Sequence, residues 1–179
     1  ATGGEVWVEN VIPKHVEPVI AKLHEMGVPI EVHEDALHVL PARAIQAVDI
    51  RTYPYPGFPT DLQQPMTVLL TQAEGHSLIT DNIYSSRFRH VEELQRMGAR
   101  IHLEGRTAVV VGKTPLMAAP VQVHDVRAGA ALVIAGLIAE GITEISGVHH
   151  IDRGYETITE KLQALGARIW REKSLSFKS

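Results

Sequence analysis

The chain has 179 residues, 45% of them hydrophobic, which is ample for one cored domain and short for two. It contains no cysteine, which excludes a disulfide framework and a thiolate metal site, and its longest apolar stretch, AGAALVIAGLIAEG, suits a buried helix better than a membrane span. A net charge of −4 and a pI near 6.2, with Lys and Arg scattered, argue against a nucleic-acid partner; no secretory leader is evident, so a cytoplasmic protein is expected.

In chain order, GEVWVENV reads as a strand, Ile12 to Met26 as a helix, and VPIEVHE with ALHVLPA as a strand pair. AVDIRTYPYPGFPT then opens a new unit. The helix DLQQPMTVLLTQAEG opens on Asp61 and ends at Gly75; a strand-like run, HSLITDNI, follows, then a short loop with Arg87 and a helix in HVEELQRMGARI. ARIHLEG and RTAVVVG form a hairpin joined at Glu104, Gly105 and Arg106. The order repeats with APVQVHDV, the apolar helix DVRAGAALVIAGLIAEG from Asp125 to Gly141, the strand-like ITEISGVHHI, a loop with Arg153, and a helix in ITEKLQALGARI.

Three helices therefore finish on Gly27, Gly98 and Gly166, as C-capped helices do, in a repeat of about 70 residues. The fold class is α/β, built of βαβαββ units over residues 1–45 (partial), 46–113 and 114–179 of one domain. The leading unit has only its second half, so part of it is expected to lie before Ala1.

In a βαβαβ arrangement with right-handed crossovers the strands run parallel, and every strand-to-helix loop lies at one edge. Asp61 and Asp125 occupy the first such loop of their units, and Arg87 and Arg153 the second. Helix N-termini at that edge favour an anionic ligand, a phosphate or a carboxylate. Arg127 stands in the first turn of a helix, where the dipole disfavours a cation by roughly 0.3–1 kcal/mol. With Arg153 it could form an anion clamp, since guanidinium binds such groups bidentately.

Plainer roles compete. Asp61 and Asp125 could simply cap their helices, Arg153 could pair with Asp152 or Glu156, and Arg87 could pack its stem on Phe88 or Tyr84. The loop YPYPGFPTD, with Pro54, Pro56 and Pro59, loses little entropy on folding and can hold Asp61 rigidly, or can be merely a stiff turn. The ten His residues are dispersed, no HExxH pattern occurs, and His149 and His150 are expected on opposite faces of a strand, so no metal site is expected.

The segments PYPGFPTDLQ (54–63), SRFRHVEELQRMGA (86–99), DVRAGAALVIAGLIAEG (125–141) and HIDRGYETITEKLQALGA (150–167) together resemble the UDP-N-acetylglucosamine 1-carboxyvinyltransferases, the enolpyruvyl transferases. The resemblance spans nearly the whole chain. It implies an inside-out α/β fold of βαβαββ units, and a reaction that moves the enolpyruvyl group of phosphoenolpyruvate to the 3-hydroxyl of UDP-N-acetylglucosamine and releases phosphate. That is the first committed step of peptidoglycan precursor synthesis. Members are more than twice this length, so the chain is expected to be a C-terminal part that needs the N-terminal domain of the same enzyme.

By the same resemblance Asp61 is the base that contacts the sugar hydroxyl, Ile83 contacts the nucleotide sugar, Asp125 lies near the reacting enol carbon, and Arg127 and Arg153 bind phosphoenolpyruvate. Asp61, Asp125 and Arg153 are then the catalytic candidates. Asp61, Ile83, Arg127 and Arg153 are the substrate-binding ones. No metal, cofactor, membrane or nucleic acid is implied. The usual proton donor, a Cys or Asp on a loop of the other domain, has no counterpart here. Departures from the family pattern are Ser85-Ser86 where Glu-Asn is common, Pro65 after Asp61, and Met117-Ala118-Ala119-Pro120. A shikimate 3-phosphate enzyme of the same fold, or a non-catalytic scaffold, are the alternatives.

Overall fold

A computed structural model describes residues 1–84 and 86–172. Ser85 and residues 173–179, the end of the third unit, lie outside the described residues.

Strand β1 (Val6–Glu9) is followed by a 3-10 turn at Pro13–Val16 and helix α1 (Glu17–Glu25). The single expected helix is thus split near Pro18, whose missing N–H is tolerated only in a first turn. Strands β2 (Ile30–Val32) and β3 (Ala36–Val39) complete an antiparallel sheet of order β1-β3-β2.

The middle of the chain runs β4 (Ile50–Arg51), α2 (Gln63–Thr71), β5 (His76–Thr80), α3 (His90–Arg96), β6 (Arg100–Glu104) and β7 (Thr107–Val111). The sheet order is β4-β5-β7-β6, with β4 parallel to β5 and the other pairs antiparallel. Glu104 pairs with Thr107 across a two-residue turn, as the hairpin reading expects. Next come β8 (Val121–Gln122), α4 (Val126–Ile138) and β9 (Ile145–Ser146), with β8 parallel to β9, then α5 (His149–Asp152) and α6 (Ile158–Ala164).

The three helix ends are superimposable in their hydrogen bonds. Gly27, Gly98 and Gly166 each donate to the carbonyl three residues back, and Val28, Ala99 and Ala167 to the carbonyl five residues back, at 2.9 Å in every case. This double closure requires a left-handed residue, and the glycines have φ of 85°, 91° and 92°. The links between units repeat too: Gln46 N donates to Met26 O, and Met117 N to Met97 O.

Helices α2 and α4 form the inner layer and the sheets lie outside them. Ala128, Ala131, Leu132 and Ala135 of α4 are buried, as are Met66, Val68 and Leu70 of α2. In β7 only Ala108 and Val110 face the core, the period-2 pattern of a one-sided sheet. The two buried threonines of α2, Thr67 and Thr71, return their hydroxyls to Gln63 O and Val68 O.

Two expectations are corrected. The run ITEISGVHHI is strand only at Ile145–Ser146. Gly147, at φ 72°, sits so close to Val123 that a Cβ would approach its carbonyl oxygen to 2.6 Å, and the chain turns there. His150 N and Ile151 N then bond to Gly147 O and Val148 O, so His149 and His150 lie on α5 with ring centroids 4.1 Å apart, not on opposite strand faces. The helix expected to open on Asp61 begins instead with a 3-10 turn at Thr60–Leu62, and α2 starts at Gln63.

Candidate active site

Asp61 reaches the site through that 3-10 turn. The turn follows the proline loop, which is closed by Gly57 N to Pro54 O at 2.8 Å and Tyr53 N to Phe58 O at 3.0 Å. The Asp61 side chain caps no helix. Its Oδ1 accepts from Arg87 Nη1 and its Oδ2 from Arg127 Nη2, both at 2.7 Å. Arg127 above all holds its carboxyl below the ordinary carboxylate range; partial burial opposes this and Arg87 adds to it. The Arg127 guanidinium is correspondingly raised, chiefly by Asp61.

Arg87 lies over the Tyr84 ring, 4.1 Å from its centroid, and also donates to Thr60 Oγ1 at 3.2 Å. The packing on Tyr84 matches its plainer sequence role, yet the same side chain pairs with Asp61. Asp125 caps α4, accepting from Arg127 N and Ala128 N at 2.9 Å each. Arg127 is thereby carried two residues past the cap and out toward Asp61.

An open cavity of about 490 Å³ is bounded by Asp61, Ile83, Arg87 and Arg127, with Tyr53, Tyr55 and Tyr84 on its rim. Asp125 and Arg153 do not line it. Arg153 is exposed on the segment after α5, and Asp152 bonds not to it but to Arg171. Gly154 packs against Val126, where a Cβ would meet Cγ1 at 2.5 Å, so the Arg153 segment abuts the start of α4.

Sequence reasoning missed the layer beneath. Asp81 is fully buried and bonds Thr52, Thr60, Ile83 and Tyr84. Burial works to raise its pKa, but the Tyr84 N–H, the Thr60 and Thr52 hydroxyls and the Ile83 N–H together hold it low. The signal was available: an Asp-Asn pair directly after the strand-like run HSLIT is a turn-forming, not a strand-continuing, dipeptide. Gln64 donates to Arg87 O at 3.2 Å. His90, buried with both ring nitrogens unpartnered among the described residues, is pushed by desolvation down to about 4 and is neutral near pH 7. Among the described residues no three His, Asp or Glu side chains converge as metal ligands would, and no helix is long and apolar enough to cross a membrane.

The family model of EPSP synthase (3-phosphoshikimate 1-carboxyvinyltransferase) matches residues 1–162. The chain belongs to this family. It is 61% identical over 173 residues to UDP-N-acetylglucosamine 1-carboxyvinyltransferase 2 of Geobacillus kaustophilus (strain HTA426), covering 97% of the chain and 40% of that protein. It superimposes on the enolpyruvyl transferase NikO of Streptomyces tendae with a TM-score of 0.85 at 26% identity, covering 93% of the chain and 41% of NikO. EPSP synthase from Acinetobacter baumannii shares the fold alone, at 19% identity and a TM-score of 0.59 over 79% of the chain and 35% of that protein. The chain thus spans about two fifths of the length of the curated relatives it matches. The α/β fold of βαβαββ units expected from the repeats, and the enolpyruvyl transferase fold implied by the resemblance, are what these structures share with the chain.

Proposed function

We propose that the chain supplies part of the active site of an enzyme transferring the enolpyruvyl group of phosphoenolpyruvate to the 3-hydroxyl of UDP-N-acetylglucosamine, in the first committed step of peptidoglycan precursor synthesis, in the cytoplasm. The observation that carries this reading is the Asp61 carboxylate between two arginines at the edge of a cavity, in a chain 61% identical to a protein named for that acceptor.

The chemistry divides among the residues as follows. Asp61, kept ionised, takes the proton of the sugar hydroxyl as its oxygen bonds to the enol carbon. The methylene carbon gains a proton from a donor outside this chain, giving a tetrahedral intermediate; loss of a methyl proton then expels phosphate. Arg127 and Arg153 hold the carboxylate and phosphate and offset the charge that builds on the leaving group. An anion competing for Arg127 draws that guanidinium from Asp61 and restores basicity to the carboxylate. Ile83 contacts the nucleotide sugar, and Asp125 lies near the enol carbon. The N-terminal domain of the same enzyme is the partner that completes the site, and no cofactor is called for.

Asp61→Ala in the full-length protein is expected to lower kcat for phosphate release by roughly 100-fold or more; unchanged turnover would leave only a binding or scaffold role. The family model is named for an enzyme of 3-phosphoshikimate. Offering shikimate 3-phosphate in place of UDP-N-acetylglucosamine separates the two acceptors.

A further inference from the structure

We propose that Asp81 is the positioning residue of this site, setting Asp61 and Arg87 in place through the hydroxyl of Thr60. Thr60 Oγ1 donates to Asp81 Oδ2 at 2.8 Å. The same oxygen accepts from Arg87 Nη1 at 3.2 Å, and that nitrogen donates to Asp61 Oδ1 at 2.7 Å. A hydrogen-bonded line therefore runs from a fully buried carboxylate to the half-exposed one at the cavity.

The other oxygen of Asp81 fixes the opposite wall. Asp81 Oδ1 accepts from Ile83 N at 2.9 Å and Tyr84 N at 3.0 Å, which stations Ile83 at the cavity and the Tyr84 ring under Arg87. It also accepts from Thr52 Oγ1 at 2.8 Å, and Thr52 in turn accepts from Asn82 N at 3.0 Å. Asp81 N donates to Arg106 O in the β6–β7 turn at 3.0 Å. One side chain thus ties together the ends of β4 and β5, the entry to α2 and the loop to Arg87.

Direction matters in this line. Because Asp81 is an acceptor only, it forces the Thr60 proton toward itself and leaves a Thr60 lone pair for Arg87. Arg87 is held by the Thr60 oxygen and the Tyr84 face at once, so its planar fork meets Asp61 with little freedom left to lose. The role assigned to Asp61 rests on the enolpyruvyl transfer reading; the geometric claim about Asp81 does not.

The experiment is a carbon-13 titration of the Asp61 carboxyl in this chain, comparing Asp81→Asn, Thr60→Val and Thr60→Ser. Removing the neighbouring negative charge in Asp81→Asn would by itself move the Asp61 titration down. Loosening Arg87 would move it up. An upward shift in both Asp81→Asn and Thr60→Val, with Thr60→Ser unchanged from the parent, is the expected result. An Asp61 titration that does not rise in Thr60→Val, or that rises there but not in Asp81→Asn, overturns the proposal. Should Asp81→Asn fail to fold, Asp81→Glu, which keeps the charge and displaces the acceptor from Thr60, takes its place, and an Asp61 titration unchanged in it overturns the proposal equally. The readout needs no turnover, so it stands apart from the Asp61→Ala test of the reaction itself.

Discussion

At the scale of single residues the molecule uses charge pairs in two different ways. Asp61 faces two guanidinium groups beside a cavity, which suits partners that must be exchanged for ligand. His38 is a different case: its Nδ1 lies 2.9 Å from Glu31 and its Nε2 2.8 Å from Glu5, with the Trp7 ring stacked at 4.1 Å. Glu31 first and Glu5 second raise its pKa, while desolvation opposes them. A raised folded pKa contributes stability that is fully present below the ordinary imidazole value of about 6.5 and is lost as pH rises through the higher folded value. Urea unfolding of the first sheet, followed by Trp7 fluorescence, should therefore weaken across that window. His38→Gln should flatten the dependence; a parent protein without it would show that the pairs contribute nothing.

At the scale of elements, α4 is the informative one. It is apolar around most of its surface and could not start cleanly without a cap, which Asp125 provides with two backbone N–H bonds. The cap also offsets the unfavourable placement of Arg127 in the first turn. Asp125→Ala should cost about 1 kcal/mol of stability, measured by the urea midpoint, and Asp125→Asn much less, because the amide oxygen still accepts. Equal losses in both variants would mean that the charge and not the cap matters. Gly129 supports the same end of the helix: a Cβ there would meet Ile151 Cγ1 at 2.5 Å, so only Gly lets α5 close against α4.

At the scale of the whole molecule, the cavity holds, among the described residues, one carboxylate, and the arginines keep it from serving as an acid toward the methylene carbon. Among the described residues Asp61 is the one carboxyl lining it and is kept ionised by its arginines, while Asp125 spends its Oδ1 on the α4 cap. The 179-residue chain alone, mixed with phosphoenolpyruvate and UDP-N-acetylglucosamine, is therefore expected to release no phosphate above background. Turnover by the chain alone would place a proton donor within it and undo the division of labour between domains.

Much of the architecture was legible from the chain alone. Gly27, Gly98 and Gly166 announce the repeat, because a helix closed by a left-handed residue selects Gly whatever surrounds it. The period-2 runs of β6 and β7 and the apolar α4 likewise carry their partition between water and core in their own pattern. The sequence by itself therefore carried the order of strands and helices and pointed to one edge for Asp61, Asp125, Arg87 and Arg153, with Arg127 and Arg153 as a clamp; of these, Asp61, Arg87 and Arg127 meet at the cavity, whereas Asp125 and Arg153 do not line it. Only the tertiary structure decided how they engage: that Asp61 pairs instead of capping, that Asp125 caps, that His149 begins a helical turn, and that Asp81 governs the loop. Each of these is settled by which hydrogen-bond partner lies within about 3 Å, and partners such as Asp61 and Arg127, 66 residues apart, meet only after the core has closed.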